Sequence, residues 1–99
     1  AVSAFGPDYL PAVYTNYGPG SNISAPGGDS SINRTPESNR AQVLSTVPSD
    51  CSAYNTDYGY MEGTSMACPH VSGVVALGLS YARKLGKEFT YDEFLAMIQ

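Results

Sequence analysis

Gly63-Thr64-Ser65-Met66-Ala67-Cys68-Pro69-His70-Val71 is the stretch that decides how this chain is read. It ends a turn-rich region on a glycine and opens a segment with helical spacing. Beyond it, Val71, Val74, Val75, Leu79, Ala82 and Leu85 recur three and four residues apart, one face of a helix. Residues 70–79 (HVSGVVALGL) are apolar or small almost all round, with only His70 and Ser72 polar. A helix with no polar face belongs inside a larger core, covered on every side. Arg83, Lys84 and Lys87 suit its C-terminus, and Gly86 is the expected cap. The expected unit is therefore residues 63–85, a turn followed by a buried helix. A second helix starts over 91–99, because Thr90 and Glu93 have capping-box spacing ahead of Phe94, Leu95 and Ile98.

Upstream, the punctuation is dense. All seven prolines and seven of the ten glycines lie within residues 1–69, so that part is short strands and loops. Residues 1–5 (AVSAF) form an apolar run closed by Gly6-Pro7, the pattern of a buried strand. Further strands are expected at 13–15, 23–25, 42–47 and 54–61, each ended by glycine or proline. Residues 29–40 (DSSINRTPESNR) are polar and read as a surface loop.

Composition narrows the functions. The chain has 99 residues and a net charge of −4, enough for one domain at most. The acidic balance argues against nucleic acid as a partner, because such binders neutralise phosphates with basic patches. No apolar run reaches 18 residues, so the sequence offers no membrane-spanning helix. With 14% charged and 42% hydrophobic residues it is not a disordered tail. Cys51 and Cys68 are too few for a disulfide scaffold and fit no zinc pattern. The chain opens on AVSAF, without initiator methionine or signal peptide, and is expected to be the interior of something longer. The residues before the apolar helix offer few elements to cover it. A fragment or one part of an assembly is the expectation, with self-association or strand exchange as the way to cover that helix.

Ser65 stands in the first turn of the expected helix, just after a glycine that permits close backbone approach. Free N–H groups and positive potential at a helix start stabilise the oxyanion formed when a serine Oγ attacks a carbonyl. The competing reading is structural: Thr or Ser before a helix commonly serves as its N-cap. The stretch is not the nucleophile elbow of α/β-hydrolases, which has glycine two residues after the serine, where this chain has Ala67.

Residues 63–73, GTSMACPHVSG, resemble the serine signature of the subtilisin-like serine proteases, the subtilases of peptidase family S8. Asn22-Ile23-Ser24-Ala25-Pro26-Gly27 resembles the family's Ala-Pro-Gly segment, and Tyr17-Gly18-Pro19 the turn before it. The resemblance covers most of residues 1–85, is most specific at 63–73, and leaves 29–40 without a firm counterpart. It implies an α/β class: the C-terminal portion of a subtilisin-like fold, a mostly parallel sheet with flanking helices, incomplete in this chain. It implies Ser65 as nucleophile of a secreted endopeptidase, Gly63, Thr64 and Ser65 as the nucleophile turn, and the Ser65 N–H as an oxyanion donor. Met66, Ala67, Pro69 and His70 would be structural support. The family's triad runs in the order Asp, His, Ser. Its Asp, its His and the oxyanion Asn all precede the strand that residues 1–5 resemble, so the chain alone is expected to be inactive.

His70 is the only histidine, and it does not replace the missing base. Five residues along a helix turn it about 140° from Ser65 and about 7.5 Å further on. Pro69 removes an N–H near the helix start, which is tolerated there; it is either a simple early-helix proline or, as the resemblance implies, the residue that shapes the nucleophile's turn. Cys68 reads as a small buried hydrophobe rather than an activated thiolate, and a bridge to Cys51 depends on geometry; two free thiols are expected. Asn22-Ile23-Ser24 and Asn33-Arg34-Thr35 are glycosylation sequons of a kind that arises by chance. Asp8, Asp29, Asp50 and Asp57 lack calcium-loop spacing, so no metal or other cofactor site is assigned, although the family often binds calcium. The partner implied is a peptide or protein substrate. The rival classes are a non-catalytic pseudo-protease or interaction module, and an unrelated hydrolase, which Ala67 and the Ala-Pro-Gly segment disfavour.

Overall fold

Strands β1 (Val2–Phe5) and β2 (Ile23–Pro26) pair in parallel, with Ala4 opposite Ala25. This computed structural model describes residues 1–32, 38–50 and 56–99; Cys51, Tyr54 and the 33–35 sequon lie outside them. A 3₁₀ turn (Ser38–Ala41) leads into β3 (Val43–Thr46), which pairs antiparallel with β4 (Tyr58–Met61). Helix α1 (Thr64–Lys84) crosses behind β1 and β2, and α2 (Tyr91–Ile98) follows. The chain combines short strands with two helices, consistent with part of the α/β fold that the resemblance implies. The described strands make one parallel and one antiparallel pair, so a mostly parallel sheet is not what these elements build by themselves.

The elements meet through alanine. Ala4, Ala12, Ala25 and Ala67 form the core, with Val2, Tyr14 and Val71 packed against it. Such small side chains let the first turns of α1 come close to the strand pair. Downstream, Gly78 leaves room for the Phe94 ring of α2, which a Cβ would meet at 2.7 Å. Phe89 and Phe94 pack edge to face at 6.4 Å.

Both helix ends form as read. Gly86 takes φ 70°, its N–H donates to the Arg83 carbonyl at 3.0 Å, and the Lys87 N–H donates to that of Ala82 at 2.9 Å. That is a Schellman cap. Thr90 Oγ1 accepts from the Glu93 N–H at 3.3 Å and starts α2.

Three expectations need correction. Residues 13–15 are a turn, not a strand: the Thr15 N–H donates to the Ala12 carbonyl at 2.9 Å, and Thr15 Oγ1 accepts the Ala4 N–H at 2.9 Å. On that edge of β1 the Ala4 carbonyl still accepts a backbone N–H, that of Ala12 at 3.0 Å, while Thr15 Oγ1 takes the Ala4 amide in place of a ladder partner. Asp29, read as part of a surface loop, is buried. Helix α1 is covered on one side only. Ala67 and Ala82 are its buried residues, while Val74, Leu77, Leu79 and Tyr81 are exposed, because no described element lies over them.

The surface area measures this shortfall. A folded monomer of this mass exposes about 5,400 Å², against 7220 Å² here. The radius of gyration is 16.0 Å, where about 13 Å is usual. No helix among the described residues is long and apolar enough to cross a membrane.

Candidate active site

Ser65 is presented outward by the burial of its neighbour. Ala67 is wholly buried against the strand pair, and two residues along a helix are about 200° apart. Ser65 accordingly stands exposed. With Met66, Pro69 and His70 of α1 and Val43, Leu44 and Ser45 of β3 it borders an open hollow of about 300 Å³.

The N-cap reading fails. The capping residue of α1 is Gly63, and no side chain caps the helix. The Gly63 carbonyl accepts the N–H groups of Met66 (3.0 Å) and Ala67 (3.2 Å). No described group engages the N–H of Thr64 or Ser65, nor Ser65 Oγ. Two unspent donors and an unspent hydroxyl thus share one exposed helix start. Pro69 brings no N–H for the Ser65 carbonyl one turn back.

Gly63 holds this turn through its backbone. Its φ of 149° lies where side chains are rarely tolerated, and its N–H donates to the Gly27 carbonyl at 3.0 Å. A Cβ on Gly27 would stand 2.5 Å from that of Ala4 and 2.7 Å from the Gly63 oxygen. The Ala25-Pro26-Gly27 segment therefore lies directly against the turn that carries Ser65.

Three residues that the sequence did not single out support this contact. The Tyr14 hydroxyl donates to the carbonyls of Gly27 (2.9 Å) and Gly28 (2.6 Å). Burial raises its pKa; the nearby Gly63 amide opposes this, and the charges of Glu62 and Asp29 add to it, so the hydroxyl keeps its proton. Asp29 accepts from the Val13 N–H (2.9 Å), the Ser31 N–H (3.0 Å) and the Ser31 hydroxyl (2.6 Å). Burial alone would raise its pKa, but these donors outweigh it and hold the carboxyl below its ordinary value. Glu62 accepts both the N–H (2.5 Å) and the hydroxyl (2.9 Å) of Ser30. Only the Asp29-Ser30-Ser31 run, with acceptor and donor two residues apart, carried a signal of this, an Asx turn.

His70 is helix-bound but not packed. Its Nδ1 lies 2.8 Å from the Met66 carbonyl and donates to it, and the ring is exposed. It shares the hollow with Ser65, yet its bonded nitrogen turns back along its own helix. Met66 is half-buried, and Cys68, expected to be buried, is instead an exposed free thiol, because α1 is covered only on the side of Ala67 and Ala82. Among the described residues, no three His, Cys, Asp or Glu side chains cluster as a metal site.

Comparison with known proteins matches the Subtilase family model, peptidase S8, across residues 1–96. The chain belongs to the subtilase family. It is 36% identical over 94 residues to an extracellular basic protease of Dichelobacter nodosus, covering 94% of this chain and 13% of that protein. It is 40% identical over 80 residues to halolysin of Haloferax mediterranei, covering 81% and 12%. The major intracellular serine protease of Bacillus subtilis is 41% identical over 58 residues, covering 54% and 16%. The subtilase chain described here thus spans a small part of the length of these relatives. No solved structure matches it.

Proposed function

We propose that this chain is the C-terminal part of the catalytic domain of a secreted serine endopeptidase, with Ser65 as its nucleophile. The observation that carries this is the unspent Ser65 hydroxyl and N–H at a helix start whose cap is a glycine. Ser65 Oγ would attack a peptide carbonyl while a base takes its proton, and the Ser65 N–H would face the developing oxyanion. The proton then passes to the leaving amine, and water hydrolyses the acyl-enzyme. Family resemblance supplies the triad His and Asp and the oxyanion Asn from outside these 99 residues, together with the rest of a mostly parallel sheet. The chain alone would then be inactive: without its base even an intact site keeps only about 10³–10⁴-fold over water. The Dichelobacter nodosus relative is named an extracellular protease, which supports secretion; the Bacillus subtilis relative is named an intracellular one.

The test is hydrolysis of a protein substrate by the full-length protein and its Ser65→Ala variant. The variant should lose about 10⁶-fold in kcat. Equal activity in both would overturn the assignment, and no activity in either would favour a pseudo-protease.

A further inference from the structure

Glu62 sits immediately before the turn that presents Ser65, and both its carboxylate oxygens are used. One takes the Ser30 N–H at 2.5 Å and the other the Ser30 hydroxyl at 2.9 Å, across 32 residues of chain. The next residue, Gly63, repeats the tie through its backbone, its N–H donating to Gly27 at 3.0 Å. Two consecutive residues are thus fixed to one segment, and the peptide plane between Glu62 and Gly63, from which the helix starts, is held in place. As the first two residues of α1, Thr64 and Ser65 have no intrahelical acceptor and keep their N–H groups free, while the Gly63 carbonyl takes those of Met66 and Ala67.

We propose that Glu62 is a positioning residue for the nucleophile, acting through the Ser30 clamp to aim the free N–H of Ser65. The role rests on Ser65 being the nucleophile. Glu62 touches neither Ser65 nor substrate; it holds the backbone that does. A neutral side chain with one acceptor holds one Ser30 donor, and an alanine holds none.

The experiment compares full-length wild type with Glu62→Ala, Glu62→Gln and Ser30→Ala. Active sites are titrated with a fluorophosphonate, and kcat, KM and the inactivation rate are measured per titrated site. Glu62→Ala should lower kcat and the inactivation rate together by about tenfold, with KM within about twofold, as expected of a misplaced turn. Glu62→Gln and Ser30→Ala should fall between, by about threefold; they carry the test if Glu62→Ala does not fold. Lowered Tm with wild-type kcat per titrated site would make the clamp merely structural and overturn the proposal. A wild type that the fluorophosphonate does not label would overturn the nucleophile assignment, and this role with it.

Discussion

Ser65 is unusual for what it does not do. Serines near a helix start normally spend their hydroxyl on the backbone, whereas here Gly63 caps the helix and Oγ is left unbonded by the described residues. The residue types at 63–65 were legible in the sequence; the supporting side chains were not. Tyr14 and Glu62, and Asp29 in its bond to Val13, act on partners 13 to 32 residues away, which no local periodicity encodes; only the Asp29–Ser31 bonds are local. Asp29 makes a pH prediction. Its folded carboxyl titrates below the ordinary 3.8, so its contribution is complete above the unfolded value and is lost as pH falls through the folded one. Asp29→Asn in the full-length protein should lose about 1 kcal/mol at pH 7. The difference from wild type should shrink below about pH 4, measured by urea midpoints. A gap independent of pH down to pH 2 would contradict this.

Helix and strand starts were readable wherever a local rule forces them. Gly86 and Thr90 announce the end of α1 and the start of α2 by their own chemistry, and the apolar runs at 23–25 and 42–47 became β2 and β3. The 13–15 segment misled because its apolar Val13 and Tyr14 match a strand, while Thr15 Oγ1 takes the β1 amide that a strand neighbour would have bonded. The packing of the Gly27 segment on the Gly63 turn gives a direct prediction. Gly27→Ala would force a Cβ to within 2.5 Å of Ala4, and overpacking of this kind costs about 1–3 kcal/mol. Because the same contact holds the nucleophile turn, activity per folded molecule should fall as well. A Gly27→Ala protein with wild-type Tm and kcat would refute the packing described.

The molecule as a whole carries more surface than its mass warrants, 7220 Å² on an outline of 47 × 33 × 18 Å. Its excess is apolar. Leu77 is 73% exposed and Val74 59%, on a helix whose composition asks for cover all round. The sequence made that demand legible, but which part of the fold meets it depends on contacts beyond these residues. The 99-residue chain taken alone should therefore self-associate, its weight-average mass rising with concentration in light scattering; a strict monomer at high concentration would contradict this. On the function proposed above, chemistry and cover have one explanation: this chain would supply the nucleophile turn, and the rest of a subtilase domain the base and the packing. The direct measurement is intact-mass labelling with a fluorophosphonate of the full-length protein, its Ser65→Ala variant and the 99-residue chain. The account predicts a single adduct on the full-length protein, none on Ser65→Ala and none on the 99-residue chain. An unlabelled full-length protein, or an adduct that persists in Ser65→Ala, would contradict it.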